Sequence, residues 1–160
     1  RRADDNAFVH LRLAGGARAQ LWASMVAAGN GHGLRIRVFG ETGSLHWDQE
    51  QPDLLTLQAD GAPYRTLRRG EAYLCEAARL ASRTKAGNPE GFFGAFANLY
   101  ADAAEVISAR RADRRPAAHA ASYATARDGV LAMRFIEAAV ESSHASGAWV
   151  DARVPELPAF

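Results

Sequence analysis

The hydrophobic period changes once along the chain, and this change limits the folds that the sequence can adopt. From residue 7 to residue 67, apolar and polar residues alternate in short runs, as at Val9, Leu11 and Leu13, and glycine-rich turns separate the runs. Alternation with a period of two is typical of β-strands. From residue 73 onward, apolar residues recur every three or four positions, which is the spacing of one helix face. Strands followed by helices predict an α+β fold, with helices packed on one face of an open, mainly antiparallel β-sheet.

The first part of the chain contains about six predicted strands joined by short turns. Glu41-Thr42-Gly43 interrupts one apolar run, and Leu45 and Trp47 resume the alternation, which predicts a tight hairpin. Short turns between successive strands are typical of an antiparallel meander. A last short strand is predicted at Trp149-Val150, after the helices. The predicted strands are residues 7–13, 18–26, 34–38, 45–47, 54–58 and 64–67.

Three helices are predicted in the second part of the chain. The first covers residues 73–82, and Asp128-Gly129 opens the last, which ends at Gly147. The middle helix is predicted to begin at Asn88-Pro89, because asparagine caps a first turn and proline fits the first helical position. Apolar residues then form a wide face, so we predict that this helix is buried on much of its circumference. They are Phe92, Phe93, Phe96, Ala97, Leu99, Tyr100, Ala103 and Val106.

The composition is that of an ordinary globular protein, and it argues against two classes of partner. A length of 160 residues is enough for a single domain, residues 1–160, with a hydrophobic core. The formal net charge is +1, whereas dedicated nucleic-acid binders carry a strongly basic surface. No run approaches the ~20 apolar residues that span a bilayer. We therefore predict neither a nucleic-acid partner nor a membrane partner.

The single cysteine, Cys75, excludes an internal disulfide and a thiolate zinc cluster. Because it lies in an apolar helical stretch, we predict that it is a small core residue. A chain with one cysteine and no internal disulfide is compatible with a reducing compartment, and the expected location is cytoplasmic. The chain begins without Met and enters a strand pattern almost at once, so we expect it to be a fragment of a longer protein.

The residues alone do not reveal a catalytic motif. The loop Gly29–Gly33 lies between two predicted strands, not between a strand and a helix, so it is too weak a signal for a dinucleotide fingerprint. The sequence contains no phosphate-binding P-loop and no G-x-S-x-G elbow. The five histidines form no H-x-x-x-H pair, so no metal site is predicted. The arginine pairs Arg68-Arg69 and Arg114-Arg115 are predicted to be solvated charges.

One strand face has the composition of a partner surface. Arg18, Gln20 and Trp22 share a face of the second strand, and Arg35 and Arg37 are placed beside them if the third strand is its neighbour. A large aromatic side chain among cations and amides is typical of protein interfaces. The alternative is a solvated face with one incidental tryptophan.

Two loops contain candidate ligand contacts. His32 lies in the glycine-rich loop, where an exposed imidazole without a ligand is the alternative interpretation. Asn88 and Glu90 lie in Asn88-Pro89-Glu90-Gly91, where free amides at the helix start could meet a ligand's oxygens. Ordinary helix capping is the alternative there. These three residues are the candidate substrate-side residues.

Four stretches resemble the C-terminal domain of the Gfo/Idh/MocA oxidoreductases, which include glucose–fructose oxidoreductase and inositol dehydrogenase. Residues 33–55 are similar to the family's Gly-x-x-Gly hairpin with its Trp, acidic and Pro-containing turn, and residues 87–107 to its Gly-His-Pro-Glu-Gly helix start. Residues 126–150 resemble its terminal Asp-Gly helix, and residues 15–30 match more weakly. The chain departs from the family at Asn88, where many relatives have His, because asparagine cannot titrate near neutral pH.

The resemblance implies an enzyme whose chemistry lies outside this chain. Members have an N-terminal Rossmann domain that binds NAD or NADP, with a lysine in Glu-Lys-Pro and a histidine in Asp-x-Gly-x-His-x-x-Asp. Neither stretch is present here, so the resemblance assigns no catalytic and no cofactor-binding residue to this chain, and we expect no bound cofactor and no activity from the chain alone. The implied substrate is a sugar or polyol.

The resemblance also implies partners. The missing Rossmann domain is the first, and a homo-oligomer formed through the open sheet face is the second. The alternative is a non-catalytic binding or assembly module on the same fold.

Overall fold

The computed structural model describes residues 4–154, apart from the side chains of residues 121 and 122. Strands come first and helices follow, so the α+β class is confirmed. The strands are β1 (Asn6–Arg12), β2 (Arg18–Ser24), β3 (Arg35–Phe39), β4 (Gly43–Asp48), β5 (Leu54–Ala59) and β6 (Arg65–Arg68). The helices are α1 (Glu76–Leu80), α2 (Phe92–Arg111) and α3 (Ala126–His144), and a 3₁₀ turn at Ala118–Ser122 precedes α3.

The described strands form two antiparallel sheets. One pairs β1 with β2, and the other has the order β3-β4-β5-β6. β2 and β3 do not pair with each other in these sheets, so the condition under which Arg35 and Arg37 would lie beside the β2 face is not met. β2 ends at Ser24, two residues before its predicted end, and there the Ser24 hydroxyl accepts a hydrogen bond from the Val26 amide.

The chain divides into two compact units. Within the described residues, the first unit combines residues 4–30 with residues 124–154 and holds β1, β2 and α3. The second unit comprises residues 31–123 and holds the four-stranded sheet, α1, α2 and the 3₁₀ turn.

The four-stranded sheet has one apolar face and one polar face. Ile36 pairs with Trp47, which pairs with Leu55, and these side chains share a face. Arg37 pairs with His46 on the opposite face. The alternation read from the sequence produces this division, because successive side chains of a strand point to opposite sides.

Hydrogen bonds explain the Trp and acidic residues that follow the β3–β4 hairpin. The Trp47 indole donates to the Pro52 carbonyl at 3.1 Å. Asp48 accepts from the Glu50 amide at 2.9 Å and from the Arg35 guanidinium at 2.8 Å. Both bonds lower the pKa of Asp48 below its usual range, the Glu50 amide having the larger effect. This segment is a structural turn that fixes the entry into β5.

The start of α2 differs from the predicted one, whereas α3 begins close to its predicted start. α2 begins at Phe92 with Gly91 as its N-cap, and no side chain caps it, so the prediction that Asn88 caps this helix is wrong. The side chain of Glu90 instead accepts a hydrogen bond from the Arg83 amide in the preceding loop. α3 begins beside the predicted Asp128-Gly129, with Thr125 as its N-cap.

Three further predictions are corrected by the described residues. α1 is little more than one turn and buries none of its residues, so Cys75 is exposed and not a core residue. Trp149-Val150 is not a strand, since no backbone pairing with another described strand involves it. Side chains contact this segment: the Arg12 guanidinium lies 3.9 Å from the Trp149 ring centroid, and Arg134 donates to the Asp151 carbonyl at 2.5 Å.

The apolar face of α2 is exposed, contrary to the prediction of a largely buried helix. Phe92 is 63% exposed and Phe93 is 88% exposed. Burial is concentrated at the other end of the second unit, where α2 meets the 3₁₀ turn and Ala109 and Ala120 are fully buried. The second unit therefore supplies little to cover the predicted apolar face of α2.

Candidate functional site

The candidate site is the loop of residues 84–90, which connects α1 to α2 and contains Asn88 and Glu90. Its anchor is Arg69, directly after β6. The Arg69 amide donates to the Asp53 carbonyl at 2.8 Å, next to the ladder between β5 and β6. The sheet thus sets the position of the Arg69 backbone before its side chain makes any contact.

The Arg69 guanidinium bridges this sheet end and the loop. Its Nε donates to Asp53 Oδ1 at 2.6 Å. Its Nη1 donates to the Thr84 carbonyl at 3.1 Å, and its Nη2 donates to the Asn88 carbonyl at 2.5 Å. Arg69 Nη1 also lies 3.1 Å from Glu90 Oε1. One planar cation therefore connects two carboxylates and two loop carbonyls.

Glu90 is committed to the loop itself. Its Oε1 accepts hydrogen bonds from the Arg83 amide at 2.6 Å and from the Thr84 amide. The side chain is only 11% exposed. A carboxylate that accepts two backbone amide hydrogen bonds and forms an ion pair with a guanidinium is a structural anchor in this geometry.

Asn88 has the opposite arrangement. Its backbone carbonyl accepts from Arg69 and from the Thr84 hydroxyl, the latter at 2.9 Å. The residue is exposed, and no hydrogen bond within the described residues involves its carboxamide. A fixed backbone with a free amide provides one acceptor and two N–H donors for a ligand.

His32 is also exposed and lies just before β3, in the loop that Gly29 and Gly33 shape through positive φ angles. Among residues 4–154, no hydrogen bond or ion pair joins His32 to Arg69 or to residues 84–90. The structure thus brings Asn88 and Glu90 together, whereas it does not join His32 to them.

The candidate interface residues are divided between the two sheets. On β2, Trp22 stacks on Phe8 with ring centroids 5.9 Å apart, and its indole donates to Asn6 at 2.8 Å. Gln20 and His10 approach each other at 3.4 Å on the same face. These contacts form a polar and aromatic surface on the β1–β2 ribbon, to which Arg18 also contributes through its pairing with Arg12.

Arg35 and Arg37 lie on β3, in the other sheet. Arg35 pairs with Asp48. Arg37 lines a shallow groove of about 210 Å³ on the polar face, together with Phe39, His46, Gln58 and Tyr64. The prediction of one continuous surface that contains all five interface candidates is therefore not supported by the strand pairing.

The comparison with known proteins identifies the family. A family model described as the oxidoreductase family, C-terminal alpha/beta domain, of the Gfo/Idh/MocA proteins matches residues 1–151. The chain belongs to the Gfo/Idh/MocA oxidoreductase family. An uncharacterised oxidoreductase of Bacillus subtilis strain 168, YfiI, is 32% identical over 148 residues, which are 92% of this chain and 38% of YfiI.

Solved structures of Gfo/Idh/MocA proteins share the fold. An oxidoreductase from Sinorhizobium meliloti matches with a TM-score of 0.84 and 41% identity, over 94% of this chain and 42% of that protein. An inositol dehydrogenase homologue from Azotobacter vinelandii, complexed with NADH and myo-inositol, matches with a TM-score of 0.83 and 39% identity, over 92% of this chain and 39% of that protein. The chain thus spans about two fifths of the length of the relatives it matches.

Sequence reasoning missed the residue at the centre of this Gfo/Idh/MocA loop. Arg69 was predicted to be a solvated charge, but its side chain is only 16% exposed and is paired with Asp53 and Glu90. The partners lie 16 and 21 positions away in the sequence, so no local periodicity indicates them. Gly70 is the one nearby signal: its φ is +80°, and a Cβ there would lie 2.8 Å from the Ala86 amide nitrogen.

Proposed function

We propose that this chain is the substrate-side domain of an NAD(P)-dependent oxidoreductase that transfers hydride between a nicotinamide cofactor and a sugar or polyol. The observation that carries the proposal is the 39% identity and shared fold with a family member whose structure contains both NADH and myo-inositol. Both molecules are therefore compatible with a protein built around a domain of this kind.

The proposed division of labour assigns hydride transfer to the remainder of the full-length protein. The cofactor, NAD or NADP, carries the electrons and is expected to bind in an N-terminal Rossmann domain. This chain contains neither the Glu-Lys-Pro stretch nor the Asp-x-Gly-x-His-x-x-Asp stretch of the family. Its proposed task is to bind and orient the alcohol, which raises the rate by holding the reacting carbon in position.

Asn88 and His32 are the proposed direct contacts on the substrate side. The exposed Asn88 carboxamide can donate to one hydroxyl and accept from another, which suits the hydroxyl-rich surface of a polyol. His32 offers an exposed imidazole that can act as donor or acceptor. Glu90 is proposed to serve the same site by holding the loop, because its carboxylate is already engaged by Arg69, Arg83 and Thr84.

The test uses the full-length protein encoded around this chain. We expect NAD or NADP reduction, followed by the absorbance of the reduced nicotinamide, when a panel of polyols and sugars is supplied. A protein that binds a polyol but reduces neither cofactor would favour the alternative, a non-catalytic binding module. A protein that neither binds nor oxidises any of them would contradict the proposal.

We also propose that the full-length protein is a homo-oligomer that uses the exposed β1–β2 face. Trp22 is 59% exposed and Phe8 is 70% exposed, although the two rings stack on each other. Exposed aromatic residues among polar side chains have the composition of an interface core.

A further inference from the structure

Arg69 lies outside the loop of residues 84–90 but donates hydrogen bonds to two of its carbonyls, including that of the proposed substrate contact, Asn88. We infer that Arg69 is a positioning residue for substrate binding: its guanidinium sets the conformation of residues 84–90 and so fixes how Asn88 is presented. The inference rests on the proposed function and extends it, since it identifies a residue that acts on the substrate only through another residue.

The geometry requires an arginine. The guanidinium uses its Nε toward Asp53 and its two terminal nitrogens toward the Thr84 and Asn88 carbonyls, so its donors point to different parts of the chain. A lysine has the same charge but only one nitrogen, and it cannot bridge groups held on different sides of a planar fork. Charge alone is therefore insufficient to hold this loop.

The electrostatics give the anchor its strength. Arg69 and Glu90 are mostly buried, with 16% and 11% of their side chains exposed, and Asp53 is 21% exposed. Removal of the guanidinium would leave two carboxylates close together and two loop carbonyls without this donor. Unpaired charged and polar groups of this kind are costly, so the loop would have to move to reach water.

Gly70 supports the same loop independently of charge. Its φ of +80° is strained for any other residue, and a Cβ would lie 2.8 Å from the Ala86 nitrogen and 3.2 Å from the Ala86 Cα. Both neighbours are backbone atoms, so a side chain at this position would displace the loop. Gly70 thus provides a second way to disturb the loop without changing Arg69.

The consequence for binding follows from the position of Asn88. Its carbonyl is held by Arg69 and Thr84 while its carboxamide stays free. A fixed loop lowers the entropy cost of ordering this amide when a substrate binds. Loss of the anchor should therefore weaken substrate binding more than it affects the cofactor, whose proposed site lies in the other domain.

The test compares the full-length wild type with Arg69→Gln, Arg69→Lys, Gly70→Ala and Asn88→Ala, and uses Arg114→Gln as the matched control. Arg114 also pairs with a glutamate, Glu105, but at the end of α2. We expect Arg69→Gln and Gly70→Ala to raise KM for the polyol by about tenfold or more, with KM for the nicotinamide unchanged. Arg69→Lys keeps the charge but not the planar fork, so it should raise the polyol KM nearly as much as Arg69→Gln does. Arg114→Gln should leave both KM values near wild type.

A double variant separates positioning from general stability. If Arg69 acts through Asn88, Arg69→Gln combined with Asn88→Ala should raise the polyol KM no more than the larger single effect. Amide hydrogen exchange at Arg83 and Thr84, whose amides bond to Glu90, should accelerate in Arg69→Gln but not in Arg114→Gln.

The KM values of these variants decide whether the inference or the proposed function fails. An unchanged polyol KM in Arg69→Gln, or equal losses for polyol and nicotinamide, overturns the inference while the proposed function stands. If Arg69→Gln does not fold, the polyol KM values of Arg69→Lys and Gly70→Ala decide the matter, and unchanged values overturn it. A wild type that acts on no polyol and no sugar of the panel contradicts the proposed function first, and the inference falls with it.

Discussion

Two arginines of this chain show how the same residue type is used for different purposes. Arg114 makes a fork of two hydrogen bonds with Glu105, at 2.7 and 2.9 Å, and its side chain is half exposed. The Ala117 amide donates to the same carboxylate at 3.0 Å. This pair fixes the chain after α2, whereas Arg69 is mostly buried and holds a loop with an exposed polar group.

The Glu105 cluster predicts a pH dependence of stability. Hydrogen bonds from Arg114 and then from the Ala117 amide lower the pKa of Glu105 from 4.5 to about 2. A depressed pKa in the folded state contributes stability that is present above the unfolded value and is lost as the pH falls toward about 2. We expect the free energy of unfolding of the wild type to fall more between these pH values than that of Glu105→Gln. Urea unfolding across this range measures the difference.

Glu137→Gln is the control for that experiment, because Glu137 is exposed and lies 3.8 Å from its arginine partner. Its stability should follow the pH profile of the wild type. Parallel profiles for wild type and Glu105→Gln would mean that the Arg114 contact does not form in solution.

The start of a helix depends on residues that are close together in the sequence, so it can be recognised from the sequence alone. Thr125 and Asp128 form a capping box at α3, in which the Thr125 hydroxyl accepts from the Asp128 amide and the Asp128 carboxylate accepts from the Thr125 amide. An aspartate is already charged at neutral pH, and the hydrogen bonds from Thr125 lower the pKa of Asp128 further below its ordinary value. The cap explains why α3 begins where it does.

Thr125→Ala is expected to lower the free energy of unfolding by about 1 kcal/mol, since it removes the hydroxyl that accepts from the helix amide. Thr125→Ser retains the hydroxyl and should lose much less. Thermal unfolding of both variants makes the comparison. Equal losses would show that the methyl group, and not the cap, is responsible.

Two glycines with different surroundings give a second prediction at this scale. A Cβ at Gly43 would collide with the Gln58 carbonyl of the adjacent strand, so Gly43→Ala should destabilise the sheet by about 1–3 kcal/mol. Gly129 lies inside α3 with open space around it, so Gly129→Ala should stabilise by about 0.5–1 kcal/mol. Chemical denaturation of the two variants measures both signs. A Gly43→Ala variant with unchanged stability would mean that the Gln58 carbonyl does not lie against this position in solution.

At the scale of the whole molecule, the main feature is the apolar surface that this chain leaves exposed. The apolar face of α2 and parts of the apolar sheet face, including Ile36 and Val38, are exposed. The chain spans about two fifths of its relatives. We expect the remainder of the full-length protein and a second subunit to cover such surfaces, because large exposed apolar patches mark interaction sites. Among the described residues, no helix is long and apolar enough to cross a bilayer.

The proposed oligomer is tested by Trp22→Ala in the full-length protein. We expect a shift to a lower molecular mass in solution at the same concentration, because removal of a stacked, exposed aromatic side chain weakens an interface at its centre. Tyr73→Ala, which removes an equally exposed aromatic side chain that lies outside both the β1–β2 face and α2, is the control. A wild type that is monomeric at high concentration would contradict the proposed interface while leaving the fold intact.

The sequence by itself determined the α+β class, the approximate positions of six strands and three helices, and the family, because alternation, helical spacing and turn residues are local properties of the chain. It also located the loop containing Asn88 and Glu90. The tertiary structure decided that β2 and β3 lie in different sheets and that Asn88 does not cap α2. It also decided that Arg69 anchors the loop, because its contacts join residues as far apart as Asp53 and Glu90. Such contacts depend on where the sheet places each segment, and no pattern within a few residues contains that information.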